Sequence, residues 1–274
     1  MADIGIQQLV SQALLEDMGD GDVSAALLDD TPVKAHIVCR EQAVLCGIAY
    51  VTEAFAQLDK QISIQWAFED AQQVEPNQII CTISGNARAI ISAERVALNF
   101  LQTLSATATQ TQHLMAKIAH TNTRLLDTRK TIPSLRLAQK YAVTCGGGVN
   151  HRLGLYDAVM LKENHIIAAG SIEAAVANAK AQYAQLPLIV EVEDLEQLTQ
   201  VLALSGVERV LCDNFSIEQL SRAVEMAKGV YPLEASGNIT DDNIVEVAQT
   251  GVDYISTGSI TKDIRAIDFS LRFI

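Results

Sequence analysis

The hydrophobic positions in the first hundred residues follow two different periods. Apolar residues at 4–15 have helical spacing, and the glycine- and aspartate-rich sequence at 18–22 interrupts it. Alternating segments at 33–40 and 62–68 predict half-buried strands. Further predicted elements are a helix at 48–58, a strand at 79–84 and a long helix from about residue 87. This mixture predicts a small α+β unit.

The long helix is predicted to have one apolar and one polar face. Its apolar face consists of Ile90, Ala93, Ala97, Leu101 and Leu104. Its polar side carries Arg88, Ser92, Arg95, Asn99 and Gln102. These polar residues alone predict that this side of the helix faces solvent.

From about residue 120 the pattern becomes a regular repeat. Short apolar runs lie at 125–126, 158–161, 188–192, 210–212, 233–235 and 254–256, with helical patterns at 134–144, 171–182, 194–204, 216–228 and 240–249. This alternation predicts parallel βα units. Because the run is short of eight units, we expect an open, incomplete α/β barrel. A doubly wound sheet is the alternative, although no GxGxxG sequence follows the first strand.

Composition narrows the classes of function. The net charge of −13 argues against a nucleic-acid or anionic-membrane partner. No apolar run approaches the ~20 residues of a transmembrane helix, and the N-terminus lacks the basic flank of a secretory signal. The five cysteines form no CxxC pair, which favours a reducing cytoplasmic location over a disulfide framework.

The segment 124–165 reverses this acidic balance. It holds seven basic residues (Arg124, Arg129, Lys130, Arg136, Lys140, Arg152 and Lys162) against the acids Asp127, Asp157 and Glu163. A basic segment in an acidic protein indicates an anion pocket. An ordinary fluctuation of surface charge is the alternative.

Polar residues follow every apolar run of the repeat. In chain order they are Asp127-Thr128-Arg129-Lys130, Lys162, Glu191, Asp213, Ser236-Gly237-Asn238 and Thr257-Gly258-Ser259. In a parallel barrel the carboxyl ends of all strands open on one face, where active sites are built. We therefore expect these residues to converge on one mouth.

The chemistry of these groups changes along the chain. Arg129, Lys130, Arg152 and Lys162, with His151, outnumber the local acids and would suit a substrate with two carboxylates. Glycines at 146–148 would let the backbone pass close to a ligand, or would form a flexible linker. Two carboxylates on successive strand ends, Glu191 and Asp213, could hold Mg²⁺ or ribose hydroxyls, or could be surface acids.

The last two strand ends carry small residues suited to phosphate. Ser236-Gly237-Asn238 precedes a helix that Thr240 could cap, and Thr257-Gly258-Ser259 repeats the arrangement. Phosphate sites commonly follow the final two strands of such barrels. The whole set indicates a phosphorylated sugar reacting with an acidic small molecule.

Several segments resemble the quinolinate phosphoribosyltransferase family. They are EDMGDGDVS at 16–24, SAERVALNFLQ at 92–102, LLDTRKT at 125–131, KYAVTCGGGVNHRLGLYDAVMLKENH at 140–165 and EASGNI at 234–239, with Glu191 and Asp213 at their strand ends. The resemblance covers nearly the whole chain. Pro133-Ser134 stands where Pro-Gly is frequent, and Asn238 where Gly often stands.

The resemblance implies a Mg²⁺-dependent glycosyltransferase of NAD biosynthesis. Quinolinate and phosphoribosyl pyrophosphate would give nicotinate mononucleotide, CO₂ and pyrophosphate. Arg129, His151, Arg152 and Lys162 would hold quinolinate, with Lys130 near both substrates. Glu191 and Asp213 would hold the ribose and Mg²⁺, and the segments 236–238 and 257–259 would hold the 5′-phosphate.

The resemblance also implies an architecture. An N-terminal α+β sandwich domain at 1–106 would precede an open α/β barrel at 107–267, and residues 268–274 would return to the first domain. Members of the family are homodimers in which the small domain of one subunit covers the barrel mouth of the other. Arg95 would then reach the partner's site.

Two other hypotheses remain open on the sequence. Lys162 could be a Schiff-base lysine of an aldolase-like barrel, although such a lysine usually lies in an apolar pocket. The chain could instead be a non-catalytic anion-binding paralogue of the molybdate-operon type. The joint presence of Arg95, Glu191 and Asp213 favours the enzyme.

Overall fold

The computed structural model describes residues 2–274, with side chains described from Gly5 onward. The chain divides into two compact units, residues up to Gln110 with Ile264–Ile274, and Thr111–Asp263. These divisions lie within a few residues of the expected boundaries after 106 and 267. The predicted helix at 4–15 begins outside the described side chains, at Ile4.

The first unit contributes the elements up to residue 110. They are α1 (Ala2–Met18), a 3₁₀ turn (Ala25–Leu27), β1 (Pro32–Cys39), β2 (Ala43–Val44), α2 (Ile48–Leu58), β3 (Ser63–Trp66), β4 (Gln73–Val74), β5 (Ile79–Asn86) and α3 (Ala87–Ile118), within which the division falls.

The second unit alternates strands and helices. Its elements are β6 (Arg124–Leu126), α4 (Arg136–Cys145), β7 (Val159–Leu161), α5 (Glu163–Ala169), α6 (Ile172–Gln182), β8 (Leu188–Val192), α7 (Leu195–Leu202), β9 (Arg209–Asp213), α8 (Ile217–Ala227), β10 (Leu233–Ser236), α9 (Ile244–Gln249), β11 (Tyr254–Ser256) and α10 (Ser259–Lys262). The chain then returns to the first unit with β12 (Phe269–Phe273).

An antiparallel sheet forms the centre of the first unit, in the order β12-β1-β5-β3. In β1, Ala35, Ile37 and Cys39 are buried at alternate positions, as a two-residue period requires. The segment expected to return contributes β12, which pairs with β1 from Cys39 opposite Phe269 to Ala35 opposite Phe273.

The faces of α3 follow the predicted pattern with one correction. All five residues of its predicted apolar face are fully buried. Ser92, predicted on the polar side, is also buried, and its hydroxyl donates to Asp22 Oδ2 at 2.9 Å. A single hydrogen-bonded serine can be buried there because its one donor is satisfied.

The second unit is built on a six-stranded parallel sheet, in the order β6-β11-β10-β9-β8-β7. Consecutive strands are neighbours from β7 to β11, and β6 pairs with β11. This is the cyclic order of a barrel opened between β6 and β7. The prediction of an α/β chain with an open parallel βα unit is confirmed, and the doubly wound alternative is wrong.

Side-chain alternation gives this sheet two distinct faces. Val190, Val210, Leu233 and Ile255 belong to a large core shared with residues of the surrounding helices. Positions of opposite parity face the other way. There Met160, Ile189 and Leu211 form a small separate apolar cluster. Glu191, Asp213 and Glu234 share this second parity, which places carboxylates beside that cluster.

Two helical predictions need correction. The segment predicted as a helix at 240–249 becomes helical only at Ile244, so Thr240 does not cap it. Instead Asn243 Oδ1 accepts from the Thr240 backbone N–H at 2.9 Å. In addition, α5 follows β7 directly, where no helix was predicted. Among residues 2–274, no helix has the length and apolarity needed to span a membrane.

Candidate active site

A cavity of about 420 Å³ lies within the second unit, at the carboxyl ends of its strands. It is lined by Thr128, Arg129, Lys130, His151, Arg152, Met160, Lys162, Glu191, Leu211, Asp213, Glu234, Ser236 and Ser256. Nine of the predicted site residues are in this set. They come from five strands and the segment before β7, as expected for a site at the mouth of a parallel barrel.

The cations of the cavity repel one another. Arg129 and Lys130 are exposed after β6, while Arg152 is partly buried. Burial and the neighbouring Arg129 guanidinium lower the pKa of Arg152 from its ordinary value, against the opposing effect of Asp157 and Glu191. A bound anion would offset both effects. The electrostatics therefore favour an anionic ligand beside Arg152.

Glycine packing and a buried ion pair hold the segment that carries His151 and Arg152. A Cβ on Gly148 would lie 2.7 Å from Val143 Cγ1 and 2.8 Å from Thr111 Cγ2. The close approach made by this glycine is therefore to protein side chains and not to a ligand.

The buried ion pair joins Asp127 to Lys140. Lys140 Nζ contacts Asp127 Oδ1, and both side chains are almost completely buried. Burial raises the pKa of Asp127, against the opposing effects of Lys140 and His151. Burial likewise lowers the pKa of Lys140. Asp127, although it follows β6 directly, supports the cavity from behind and does not line it.

The two predicted metal-site carboxylates differ in their partners. Glu191 is largely buried, and its Oε2 is paired with Lys162 Nζ. Asp213 Oδ2 accepts from Asn214 Nδ2 at 2.8 Å. Within the described part of the chain, no cluster of three or more His, Cys, Asp or Glu forms a metal cage. Mg²⁺ commonly uses one or two carboxylates together with waters and substrate phosphates, and this pair fits that mode.

The segment 236–238 forms a tight turn beside Asn214. Gly237 has φ +95°, and a Cβ there would overlap the Asn214 side-chain oxygen. Asn238 donates from Nδ2 to the same oxygen at 3.2 Å. Ser236 lines the cavity, whereas Gly237 and Asn238 line an adjoining cavity of about 340 Å³ that Ser236 shares.

The segment 257–259 is more enclosed than predicted. Thr257 is buried, and its hydroxyl donates to Ile239 O at 2.9 Å. Its Oγ1 also accepts from the Ser259 backbone N–H at 3.2 Å. Gly258 lies against Lys130, since a Cβ there would be 2.9 Å from Lys130 Cδ. These residues border the cavity-lining Lys130 but do not line the cavity themselves.

Comparison with known families identifies the family to which this chain belongs. The family model described as "Quinolinate phosphoribosyl transferase, N-terminal domain" matches residues 22–105, and "Quinolinate phosphoribosyl transferase, C-terminal domain" matches residues 107–272. This chain belongs to the quinolinate phosphoribosyltransferase family. The match includes every predicted site residue.

Individual members of the family are similar over nearly their full length. The nicotinate-nucleotide pyrophosphorylase structure from Francisella tularensis is 48% identical, with a TM-score of 0.97 over 99% of this chain and 97% of that one. A probable nicotinate-nucleotide pyrophosphorylase [carboxylating] of Bacillus subtilis is 35% identical over 99% of this chain and 94% of its own. A quinolinate phosphoribosyltransferase [decarboxylating] of Nicotiana tabacum is 37% identical over 97% of this chain and 82% of its own length.

The structure adds cavity residues that the sequence analysis did not select. Glu234 is fully buried in β10 yet lines the cavity, and Arg209 pairs with it from β9. Met160, Leu211 and Ser256 complete the lining. The sequence feature that could have identified these residues is the two-residue alternation within each strand. In β9, for example, it places Arg209 and Leu211 on the same face as Asp213. Arg95, by contrast, is exposed on α3 in the first unit.

Proposed function

We propose that this chain transfers a phosphoribosyl group from phosphoribosyl pyrophosphate to quinolinate, with decarboxylation, in the synthesis of NAD. The reaction gives nicotinate mononucleotide, CO₂ and pyrophosphate. The observation that carries the proposal is the convergence of Arg129, Lys130, Arg152 and Lys162 on the cavity that Glu191 and Asp213 also line. Relatives at 35% to 48% identity that bear names of this activity support it.

Quinolinate is assigned to the cationic side of the cavity. Arg129, Arg152 and Lys162 would bind its two carboxylates, because guanidinium groups match carboxylates in a bidentate geometry. His151 would contribute its ring to the wall of this subsite. Fixed cations hold the acceptor nitrogen in place, and this positioning removes part of the entropic barrier of a two-substrate reaction.

Phosphoribosyl pyrophosphate is assigned to the part of the cavity lined by Glu191 and Asp213. Glu191 and Asp213 would accept from the ribose hydroxyls, and Lys130 would contact the leaving pyrophosphate. Thr128 and the segment 236–238 would contact the 5′-phosphate. The segment 257–259, expected to share this role, lines neither cavity and would act from behind Lys130. The adjoining cavity shared by Ser236, Gly237 and Asn238 supports this placement.

Mg²⁺ would bind at the same two carboxylates, Glu191 and Asp213. When bound, Mg²⁺ would neutralise charge on the departing pyrophosphate. Glu191 and Asp213 would hold it with the help of substrate oxygens. Lys162, already paired with Glu191, would keep that carboxylate oriented toward the cavity.

The chemistry requires positioning and charge stabilisation. The pyridine nitrogen attacks the anomeric carbon as the bond to pyrophosphate breaks, and Lys130 stabilises the departing negative charge. The quaternised ring then accepts the electron pair released when the C2 carboxylate leaves as CO₂. A proton from solvent takes its place on the ring. No side chain forms a covalent intermediate in this scheme, unlike the Schiff-base hypothesis for Lys162.

Acceptor preference tests the proposed function. The purified chain is incubated with phosphoribosyl pyrophosphate, Mg²⁺ and either quinolinate or nicotinate, and nicotinate mononucleotide is measured. We expect turnover of quinolinate alone. Turnover of nicotinate alone would assign a salvage activity, and no product from folded protein would favour the non-catalytic anion-binding hypothesis.

Removal of the metal should stop catalysis while leaving the fold intact. With excess chelator we expect turnover to fall at least about 100-fold, because the departing pyrophosphate loses charge neutralisation. Added Mg²⁺ should restore it. Circular dichroism provides the control for folding, and full activity in chelator would contradict the assignment of Mg²⁺.

We also propose a cytoplasmic homodimer in which Arg95 acts at the partner's site. None of the five cysteines forms a disulfide, which supports a reducing location. Arg95 is exposed and is not one of the residues that line the cavity, which is compatible with a role in another subunit.

Subunit mixing tests the role of Arg95. Arg95→Ala and Lys130→Ala should each be inactive alone. After the two are mixed and exchanged, about a quarter of the wild-type activity should return, because each mixed two-fold dimer has one intact site. Arg88→Ala, on the same helix, is the matched control and should stay active alone. No recovery in verified mixed dimers would contradict the proposal.

A further inference from the structure

Four charged side chains converge on His151, and the first two hold its backbone. Asp127 Oδ1 accepts from the His151 backbone N–H at 2.8 Å. Lys140 Nζ donates to the His151 backbone oxygen at 3.0 Å. Because Asp127 and Lys140 are also paired with each other, the peptide groups on both sides of His151 are fixed.

The other two charged side chains, Arg209 and Glu234, lie at the imidazole ring. Nδ1 accepts from the Arg152 backbone N–H at 2.7 Å. Nε2 lies 3.4 Å from Glu234 Oε2 and 3.3 Å from Arg209 Nη2. An accepting Nδ1 assigns the proton of a neutral ring to Nε2. Nε2–H and Arg209 Nη2 are then both donors, so their contact is not a hydrogen bond, and the Glu234 carboxylate is the group that attracts the Nε2 proton electrostatically. Both ring nitrogens are therefore engaged by protein groups.

Glu234 and Arg209 form a buried pair of their own. Glu234 is 0% exposed, and its Oε2 lies 2.8 Å from Arg209 Nε. The angles at these atoms fall outside hydrogen-bonding geometry, so the contact is chiefly electrostatic. The Arg209 guanidinium also lies over the ring of Tyr254, with its carbon 4.8 Å from the ring centroid.

The charge state of Glu234 suits this arrangement. Burial acts to raise the pKa of Glu234, but His151, Arg209 and Ser256 outweigh it and lower that pKa overall. Glu234 is thus an ionised carboxylate in the lining of a cavity that we assign to a dianion. For substrate binding alone its negative charge is unfavourable, so its presence calls for another role.

We infer that Glu234 and Arg209 are positioning residues that orient the His151 ring and, through its Nδ1, the backbone of Arg152. The inference rests on the proposed function, in which Arg152 binds quinolinate. Glu234 fixes the ring by attracting Nε2–H, and Arg209 keeps Glu234 in place. With the ring fixed, Nδ1 holds the Arg152 N–H and so sets the direction in which the guanidinium leaves the chain.

Glu234→Gln separates this role from simple electrostatics. Removing a negative charge beside a dianion site should improve quinolinate binding if charge alone mattered. Positioning predicts the opposite, a rise in the KM for quinolinate of roughly 10- to 100-fold, as when supporting groups behind functional histidines are lost. The KM for phosphoribosyl pyrophosphate should stay within about twofold of its original value, since its proposed ligands are untouched.

Leu233→Ala is the matched control on the same strand. Leu233 is equally buried but faces the helix-covered core, so its truncation destabilises β10 without touching His151. It should lower the melting temperature and leave both KM values unchanged. An equal rise in its quinolinate KM would assign the Glu234 effect to lost stability and overturn the inference.

Replacing both charges tests the same point if Glu234→Gln folds poorly. Glu234→Leu combined with Arg209→Met removes the buried pair, and such replacements are often neutral or stabilising. We expect the double variant to fold and to retain a raised KM for quinolinate. A folded double variant with a normal KM for quinolinate would show that the pair does not position His151 and would overturn the inference.

The ring itself gives a readout that does not depend on turnover. In ¹⁵N-histidine-labelled protein, the His151 signals, identified by their loss in His151→Gln, should show an unprotonated Nδ1 and a protonated Nε2. Glu234→Gln should shift them toward a mixture of tautomers, and unchanged signals would contradict the inference. Absence of turnover in the unsubstituted chain would instead contradict the proposed function.

Discussion

Replacing Arg152 with lysine is expected to lower kcat/KM for quinolinate by about 100-fold although the positive charge is kept. A guanidinium offers two parallel donors to a carboxylate, each worth about 1.5–3 kcal/mol when charged, whereas an ammonium offers a point charge. Arg152 is partly buried beside Arg129, and lysine would be easier to deprotonate there. Steady-state kinetics with quinolinate varied at saturating phosphoribosyl pyrophosphate measure the effect.

The matched control for this substitution is Arg222→Lys. Arg222 is exposed on α8 and pairs with Glu225, away from the cavity lining. Its replacement should leave both KM values and kcat unchanged. If Arg152→Lys retained wild-type kcat/KM, the bidentate contact assigned to Arg152 would be wrong.

Lys140→Met is expected to lower the free energy of unfolding by about 3–5 kcal/mol at neutral pH, because it leaves the buried Asp127 carboxylate without its counter-charge. This is the largest stability effect that we expect from a single substitution in the second unit. It should also reduce turnover, since the same ammonium holds the His151 backbone oxygen. Urea unfolding followed by circular dichroism measures the stability.

The loss of stability in Lys140→Met should depend on pH with a definite sign. Burial already raises the pKa of Asp127 in the folded chain, and removing Lys140 raises it further. When the pKa of a carboxyl group is higher in the folded than in the unfolded chain, its ionised form destabilises the folded state. The free energy of unfolding therefore falls as the pH rises through the raised pKa. The deficit should therefore shrink as the pH is lowered from neutral.

A double variant separates the charge effect from packing. Asp127→Asn combined with Lys140→Met removes both charges while an amide oxygen can still accept from the His151 backbone N–H. It should recover most of the stability lost in Lys140→Met and show little pH dependence. A deficit that is equally large in the double variant, or independent of pH in the single one, would contradict the ionic explanation.

The strand ends that line the cavity could be predicted from the sequence, because the pattern that marks each of them lies within a few consecutive residues. The βα repeat placed each polar strand end, and the geometry of parallel strands then brought Lys162, Glu191 and Asp213 to one cavity. No comparably local signal existed for Glu234. It lies in the middle of the apolar run at 233–235, so only its parity within the strand shows that it faces inward.

The errors have equally specific physical causes. Thr240 matches a capping pattern, but the turn at 241–243 is closed by Asn243, so the helix begins later. Gly148 matches a ligand-binding glycine, but its neighbours in space, Thr111 and Val143, are set by tertiary packing. The role expected for Arg95 depends on a second subunit and stays a prediction.

Release of CO₂ tests the central claim most directly. Quinolinate carrying ¹³C in its 2-carboxyl group is incubated with the chain, Mg²⁺ and phosphoribosyl pyrophosphate, and labelled CO₂, pyrophosphate and nicotinate mononucleotide are measured together. The proposed mechanism predicts equal amounts of all three, and none without phosphoribosyl pyrophosphate, because decarboxylation needs the quaternised ring. Labelled CO₂ released without pyrophosphate, or a nucleotide that retains the label, would contradict it.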